Sequence, residues 1–222
     1  GNYSFTVPAG TTGGIAVSVP TTDDVQYEGQ ETFSIQAHLT GTTTAGTAVD
    51  LSDTGLATIT DTEGAGEDRP TLSVADAGRV QEGQEAQFAI SLSKAVDADT
   101  QLTFSLGGQI QSNDIGAVSV TINGQAATGF VANADGTYSF TVPAGTTTGI
   151  VVHVPTTQDA VYEGDESITL EATLSGHSAS GTALLGDLSD EGEGTITDGQ
   201  DKPKLTVDDA GTVQEGKVAV FN

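Results

Sequence analysis

The chain has no cysteine, methionine or tryptophan, only six lysines and arginines, and 5% aromatic residues. Without cysteine there is neither a disulfide framework nor a thiolate to ligate a metal or attack a substrate, so other forces hold the fold. Without methionine there is no thioether for oxidants to attack, which is compatible with life outside the cell. The six bases (Arg69, Arg79, Lys94, Lys202, Lys204, Lys217) face 31 acids, and a formal charge of −25 repels nucleic-acid phosphates and anionic lipid heads. No nucleic acid and no direct membrane contact are therefore expected among its partners. No apolar run reaches the roughly 18 residues of a membrane helix. No basic segment leads into an apolar one at the start, so any export signal is expected outside this stretch.

What is present is repetition. Residues 136–176, GTYSFTVPAGTTTGIVVHVPTTQDAVYEGDESITLEATLSG, align without a gap on residues 1–41, GNYSFTVPAGTTGGIAVSVPTTDDVQYEGQETFSIQAHLTG, at an offset of 135. The register continues: DLSD at 50–53 recurs at 187–190, ATITD at 57–61 as GTITD at 194–198, and PTLSVADAGRVQEG at 70–83 as PKLTVDDAGTVQEG at 203–216. A repeat of about 135 residues is too long for a solenoid unit and fits whole domains strung in tandem.

The acidic, glycine-rich stretch DTEGAGEDRP at 61–70 and its counterpart DGQDKP at 198–203 interrupt the apolar alternation and are the expected boundaries. This phase makes 69–201 a complete repeat, 1–68 the C-terminal half of a preceding one and 202–222 the start of a following one. A rival phase, Gly1 to Asp135, would put the most linker-like segment inside a domain. A half sandwich leaves open strand edges and an uncovered apolar face, so 1–68 is expected to be the least stable part or to pair with its neighbour.

Apolar residues alternate with period two through Phe88, Ile90, Leu92; Leu102, Phe104, Leu106; Val118, Val120, Ile122; Tyr138, Phe140, Val142; Ile150, Val152, Val154; and Ile168, Leu170, Ala172, Leu174. Asn123-Gly124 reads as a type I′ hairpin turn, and Asp135-Gly136 and Pro143-Ala144-Gly145 as further turns. No helical stripe is present. Seven to nine short strands at roughly ten-residue spacing predict an all-β, antiparallel, immunoglobulin-like sandwich.

Three segments of the chain, VQEGQEAQFAISLSKA, then FTVPAGTTTGIVVHVPTTQDAVYEGDESITLEATLSG, then GTITDGQDKP, resemble the tandem extender repeats of giant type I secreted (RTX) adhesins of the LapA-like class of Gram-negative bacteria. More distantly the pattern is similar to the Calx-β domain. The resemblance spans essentially the whole chain. It implies a rod of linked extracellular domains, a monomeric tandem array stiffened by calcium at its junctions, that holds an adhesive domain away from the cell. The closing acids, Asp198 and Asp201, are spread out where the Calx-β-like pattern has them consecutive.

Calcium takes six to eight oxygens at about 2.3–2.6 Å, so acids must converge from several loops. In the complete repeat the candidates are Glu82, then Asp159, Glu163 and Glu166 around Gly164, and Asp198 and Asp201 after the last strand, beside Asp208 and Asp209 of the next unit. The first half carries the equivalents Asp24, Glu28, Glu31, Asp61 and Asp68, with Asp76 and Glu82 expected across the junction. The alternative is that these acids are solvated turn residues that keep the protein soluble.

Asn133-Ala134-Asp135-Gly136 has part of an EF-hand pattern, but Val131 and Val142 occupy its first and last ligand positions, which favours an ordinary turn. His38, His153 and His177 do not recur between copies and sit in no catalytic signature. Three roles remain: a calcium-stiffened spacer, favoured by the repetition; a binding module whose loops recognise a glycan or a partner protein; and, weakest, an enzyme. A binding module would need an aromatic or arginine anchor. Tyr27 and Tyr162 are the best candidates, and both are expected to be packed at the sheet end.

Overall fold

The computed structural model describes residues 1–62 and 68–222. The alternating runs of residues 69–201 form strands that bury one face each. β4 (Leu72–Val74), β6 (Glu85–Leu92), β9 (Ser119–Ile122), β10 (Gln125–Ala126) and β13 (Ile150–Pro155) make a five-stranded sheet in the order β10-β9-β13-β6-β4. β5 (Gly78–Gln81), β8 (Thr100–Gly108), β11 (Val131–Ala132), β12 (Tyr138–Val142), β14 (Glu166–Ser175) and β15 (Ser189–Thr197) make a six-stranded sheet in the order β11-β12-β8-β14-β15-β5. The inward residues of both sheets, among them Phe88, Ile90, Val152, Leu102, Phe104, Phe140, Ile168 and Leu170, are all but inaccessible and form one core. The chain is an all-β immunoglobulin-like sandwich. Among the described residues there is no helix, hence none long and apolar enough to cross a membrane.

The turns follow from local chemistry. Asn123 (φ 51°) and Gly124 (φ 75°) are both left-handed, as the type I′ turn between β9 and β10 requires, and Asn123 is the one non-glycine with positive φ among the described residues. The Asn133–Gly136 stretch closes the β11–β12 hairpin, with Asp135 Oδ1 accepting from the Thr137 N–H and hydroxyl at 3.1 and 2.7 Å.

Pairing is antiparallel between every two neighbouring strands of the sandwich except β5 and β15, which run parallel. The sequence pattern did not predict this. The first strand of the repeat splits between the sheets: Ala75 N–H still donates to Ala89 of one sheet, whereas Ala77 N–H donates to Glu193 of the other. The chain enters the second sheet travelling in the direction of its last strand, and Asp76 fills the crossing by accepting from Glu193 N–H at 2.9 Å.

Before the sandwich come β1 (Gln26–Tyr27), β2 (Glu31–Thr42) and β3 (Ala48–Ile59); the last strand of the chain before residue 222 is β15. β2 and β3 form a hairpin that belongs to neither sheet. Its register, Glu31 opposite Ile59 and His38 opposite Ser52, is that of Glu166 opposite Ile196 and Thr173 opposite Ser189 in the second copy. The ladder thus forms in both copies, but only β14 and β15 have a second sheet to cover them. Leu39, Leu51 and Leu56 stay exposed, as do Tyr3 and Phe5 before them and Leu205 and Val218 near the end.

This difference should be visible in hydrogen exchange. Amides of β2 and β3 are expected to exchange far faster than those of β6, β13 and β14, because opening them exposes almost no buried apolar surface. Leu170→Ala, in the core, is expected to lower stability by about 2–5 kcal/mol in denaturant titration, whereas Leu51→Ala should be close to neutral.

Candidate metal centre

At one pole of the sandwich the β5–β6 turn, the β8–β9 loop, the β13–β14 loop and the segment after β15 come together, each with acids. One oxygen from each of Glu82, Asp198 and Asp201 lie within 4.8 Å of one another, and so do those of Asp114, Glu163 and Glu166. Asp198 joins the groups: its Oδ2 accepts from Glu163 N–H at 2.7 Å. Its Oδ1 is buried without a partner, alone in this among the described side chains, on a residue only 4% exposed.

The surrounding hydrogen bonds hold this pole in shape. Asp159 Oδ1 accepts from Val161 N–H at 2.7 Å, which tightens the turn leading to Glu163. The amide nitrogen of Gln158 has two hydrogens but three oxygens around it: Asp201 Oδ2 and the Asp159 carbonyl at 2.8 Å, and Glu82 Oε2 at 3.4 Å. Asp114 is buried and pinned from both sides, its Oδ2 accepting from Gln111 N–H at 2.5 Å and its carbonyl from Thr157 N–H at 2.7 Å.

Like charges crowded in a desolvated pole resist ionisation. Burial, followed by the charges of Asp198, Asp159 and Asp201, pushes the Glu82 carboxyl above its ordinary range. Glu163 and Glu166 are raised too, first by desolvation and then by Asp114 and by Asp198, with Asp159 acting on Glu163 and Glu163 on Glu166. Among the described groups of three, every donor is a carboxylate oxygen, and neither histidine nor thiolate takes part. That donor set suits a hard, oxygen-seeking cation rather than zinc or copper.

The opposite pole carries the first-half acids. Asp61 receives Glu28 N–H at 3.3 Å and Gly29 N–H at 2.8 Å, the same device as Asp198 on Glu163. Asp24, Glu28, Glu31, Asp61 and Asp68 line one concave surface there. Glu28 is raised by burial and then by Asp24, Glu31, Asp97 and Asp61. Asp68 is buried against Lys94, 3.5 Å away.

Three expected features are placed differently in the structure. Asp76 and Glu82 do not face the first-half acids across the junction; strand β14, roughly 30 Å long at 3.3 Å per residue, separates the poles, and the acid that acts on Glu28 from the sandwich is Asp97. Asp76 caps the sheet crossing instead. Asp208 and Asp209 join no described acid group, and Asp208 N–H donates to Asn222. Tyr162 is not packed: it is 44% exposed, whereas Tyr27 is 3% exposed. Asp114, which is not among the candidates named from the sequence, has no counterpart within residues 1–68, so the internal repeat could not single it out.

No family model matches the chain, and no curated protein matches it. Among solved structures it is similar to a non-cellulosomal cohesin from the hyperthermophilic archaeon Archaeoglobus fulgidus, at 12% identity and TM-score 0.40, over 60% of this chain and 94% of that one. It is also similar to the collagen binding domain of the Erysipelothrix rhusiopathiae surface protein RspB, at 12% identity and TM-score 0.28, over 77% of this chain and 61% of that one.

The raised carboxyls fix the sign of a pH effect. Between the unfolded carboxyl pKa, about 4.3 for Glu, and the raised native values, the native state binds more protons than the unfolded one. The contribution of Glu82, Glu163 and Glu166 to stability therefore falls as pH rises through that window. Glu85, held low chiefly by its hydrogen bond from His153, contributes with the opposite sign. Thermal melts in EDTA from pH 4 to 8 should show Asp198→Asn gaining on the parent chain as pH rises, since it removes one charge beside all three glutamates.

Proposed function

We propose that the chain is a structural spacer of the extender class that it resembles, part of a secreted or cell-surface bacterial adhesin, and that calcium bound at the pole of each repeat stiffens it. The observation that carries this reading is Asp198. A carboxylate this buried, with one oxygen unpartnered and Glu82 and Asp201 beside it, is costly unless an opposite charge is close. No lysine or arginine is among the groups that shift Glu82, Glu163 or Glu166.

Glu82, Asp198 and Asp201 would hold one ion, with Asp159 and Gln158 adjoining, and Asp114, Glu163 and Glu166 would hold another or complete the same site. The ion would supply positive charge and tie four loops into one pole. Calcium fits better than magnesium because the donors come from separate loops of adjustable reach, whereas magnesium demands near-octahedral geometry and gives up its water reluctantly. The repeated acids of the first half, with Asp61 mirroring Asp198, support the same role in each copy.

Melting of the full chain in EDTA, calcium and magnesium tests the proposal. At calcium about a hundredfold above the dissociation constant, each site adds roughly 2.7 kcal/mol, which raises the melting temperature of a domain of this size by several degrees. Asp198→Asn is expected to remove most of that rise, and Asp76→Asn to leave it intact. A melting temperature indifferent to calcium, or raised equally by magnesium, would reduce the acids to a solubilising surface.

A further inference from the structure

The contact between the first segment and the sandwich is a plug in a socket. Tyr27 enters the core cluster, and its hydroxyl donates to the Ala183 carbonyl at 2.9 Å. β1 pairs with β7 (Ala95–Val96), with Asp97 N–H donating to the Tyr27 carbonyl at 3.2 Å. The socket rim is the turn from Ser178 to Thr182: Gln30 N–H donates to Thr182 Oγ1 at 3.1 Å, and Ser180 Oγ donates to the Glu28 carbonyl at 2.8 Å. Gly29, at φ 74°, lies so close that a Cβ there would stand 2.4 Å from Thr182 Cβ.

The plug and the rim turn of the socket each occur twice, and among the described residues only one pair is mated. The plug Tyr27-Glu28-Gly29 recurs as Tyr162-Glu163-Gly164, at the offset of 135. In the second copy the tyrosine is 44% exposed, and a Cβ on Gly164, at φ 89°, would meet open space. The socket turn recurs the other way. Thr43 and Thr47 close a turn through Thr43 N–H to Thr47 O at 2.8 Å and Gly46 N–H to Thr43 O at 2.9 Å, the pattern of Ser178, Thr182 and Gly181. In the first copy that turn is exposed.

We propose that the Tyr162–Gly164 turn is a second plug, whose occupant is the Ser178–Thr182 socket of another copy of the repeat, so that repeats dock head to tail through one reused contact. Plug and socket are different surfaces at opposite poles, so the contact is heterologous and passes in one direction from repeat to repeat. Tyr162 supplies the buried anchor, Gly164 the close approach to the threonine, and the flanking main chain an added edge strand. The proposal deepens the spacer reading and rests on it only in naming the partner as a further repeat.

Cysteine cross-linking tests it, because the chain has no thiols of its own. In the 222-residue chain, Gln30→Cys with Thr182→Cys marks the mated contact and sets the reference mobility shift. In a chain lengthened by joining residues 71–222 after Pro203, Asp165→Cys in the first sandwich is combined with Thr182→Cys in the second. The expected result is oxidation to the reference extent, lost when Tyr162→Ala is added and absent for a decoy pair using Gln125→Cys in place of Thr182→Cys. Reference oxidation without oxidation at the new junction, or equal oxidation of the decoy, would overturn the proposal. Melting of the same chains with and without calcium separates the two readings. Cross-linking with no calcium response keeps the docking and removes the metal role, and the reverse pattern does the opposite.

Discussion

Most of what is distinctive in this molecule hangs on one backbone ladder, the pairing of Glu166–Ser175 with Ser189–Thr197. Its register places Glu166 and, just past Ile196, Asp198 at one end, where the acids gather, and the Ser178–Thr182 turn beyond the other, where the plug is received. A slip of one residue would turn Ile168, Leu170, Ala172 and Leu174 out of the core, so the apolar alternation holds both ends in place together. That the same register appears in β2 and β3 without a covering sheet shows how much of it is local to the two strands and the turn between them.

The second governing term is charge. A protein with 31 acids and six bases must place like charges near one another wherever loops converge. On the strands Glu171 and Glu191 stand opposite each other across β14 and β15; at the pole more acids gather, and Glu82, Asp114 and Asp198 are buried there. Asp198 shows the compromise: one oxygen is satisfied by the Glu163 N–H and shapes the turn, while the other is buried without a partner. The same carboxylate-to-turn contact at Asp61 shapes the turn that carries Tyr27. Metal binding and docking are thus proposed for adjoining faces of one loop, so an ion that firms the loop would also firm what the loop plugs into.

Much of this was legible in the chain because it repeats and alternates. Period-two apolar runs determined the strands, the Asn123-Gly124 pair determined its hairpin, and Glu82, Asp159, Glu163, Glu166, Asp198 and Asp201 could be named as candidates because acids at strand ends of a sandwich have few places to go. Three things were decided only by the tertiary structure. Asp114 joins the pole because the β8–β9 loop folds over β13 through Ile115 and Thr156, a contact between distant segments. β5 runs parallel to β15 because the first strand crosses between sheets at Asp76, and no local pattern encodes which sheet a four-residue strand joins. Tyr27 and Tyr162, each the first residue of a Tyr-Glu-Gly turn, differ in burial because burial depends on what arrives from elsewhere in the chain: one meets a socket, and the other does not. Periodicity and turn chemistry are properties of neighbours along the chain, whereas convergence of charge and the mating of surfaces belong to the assembled fold.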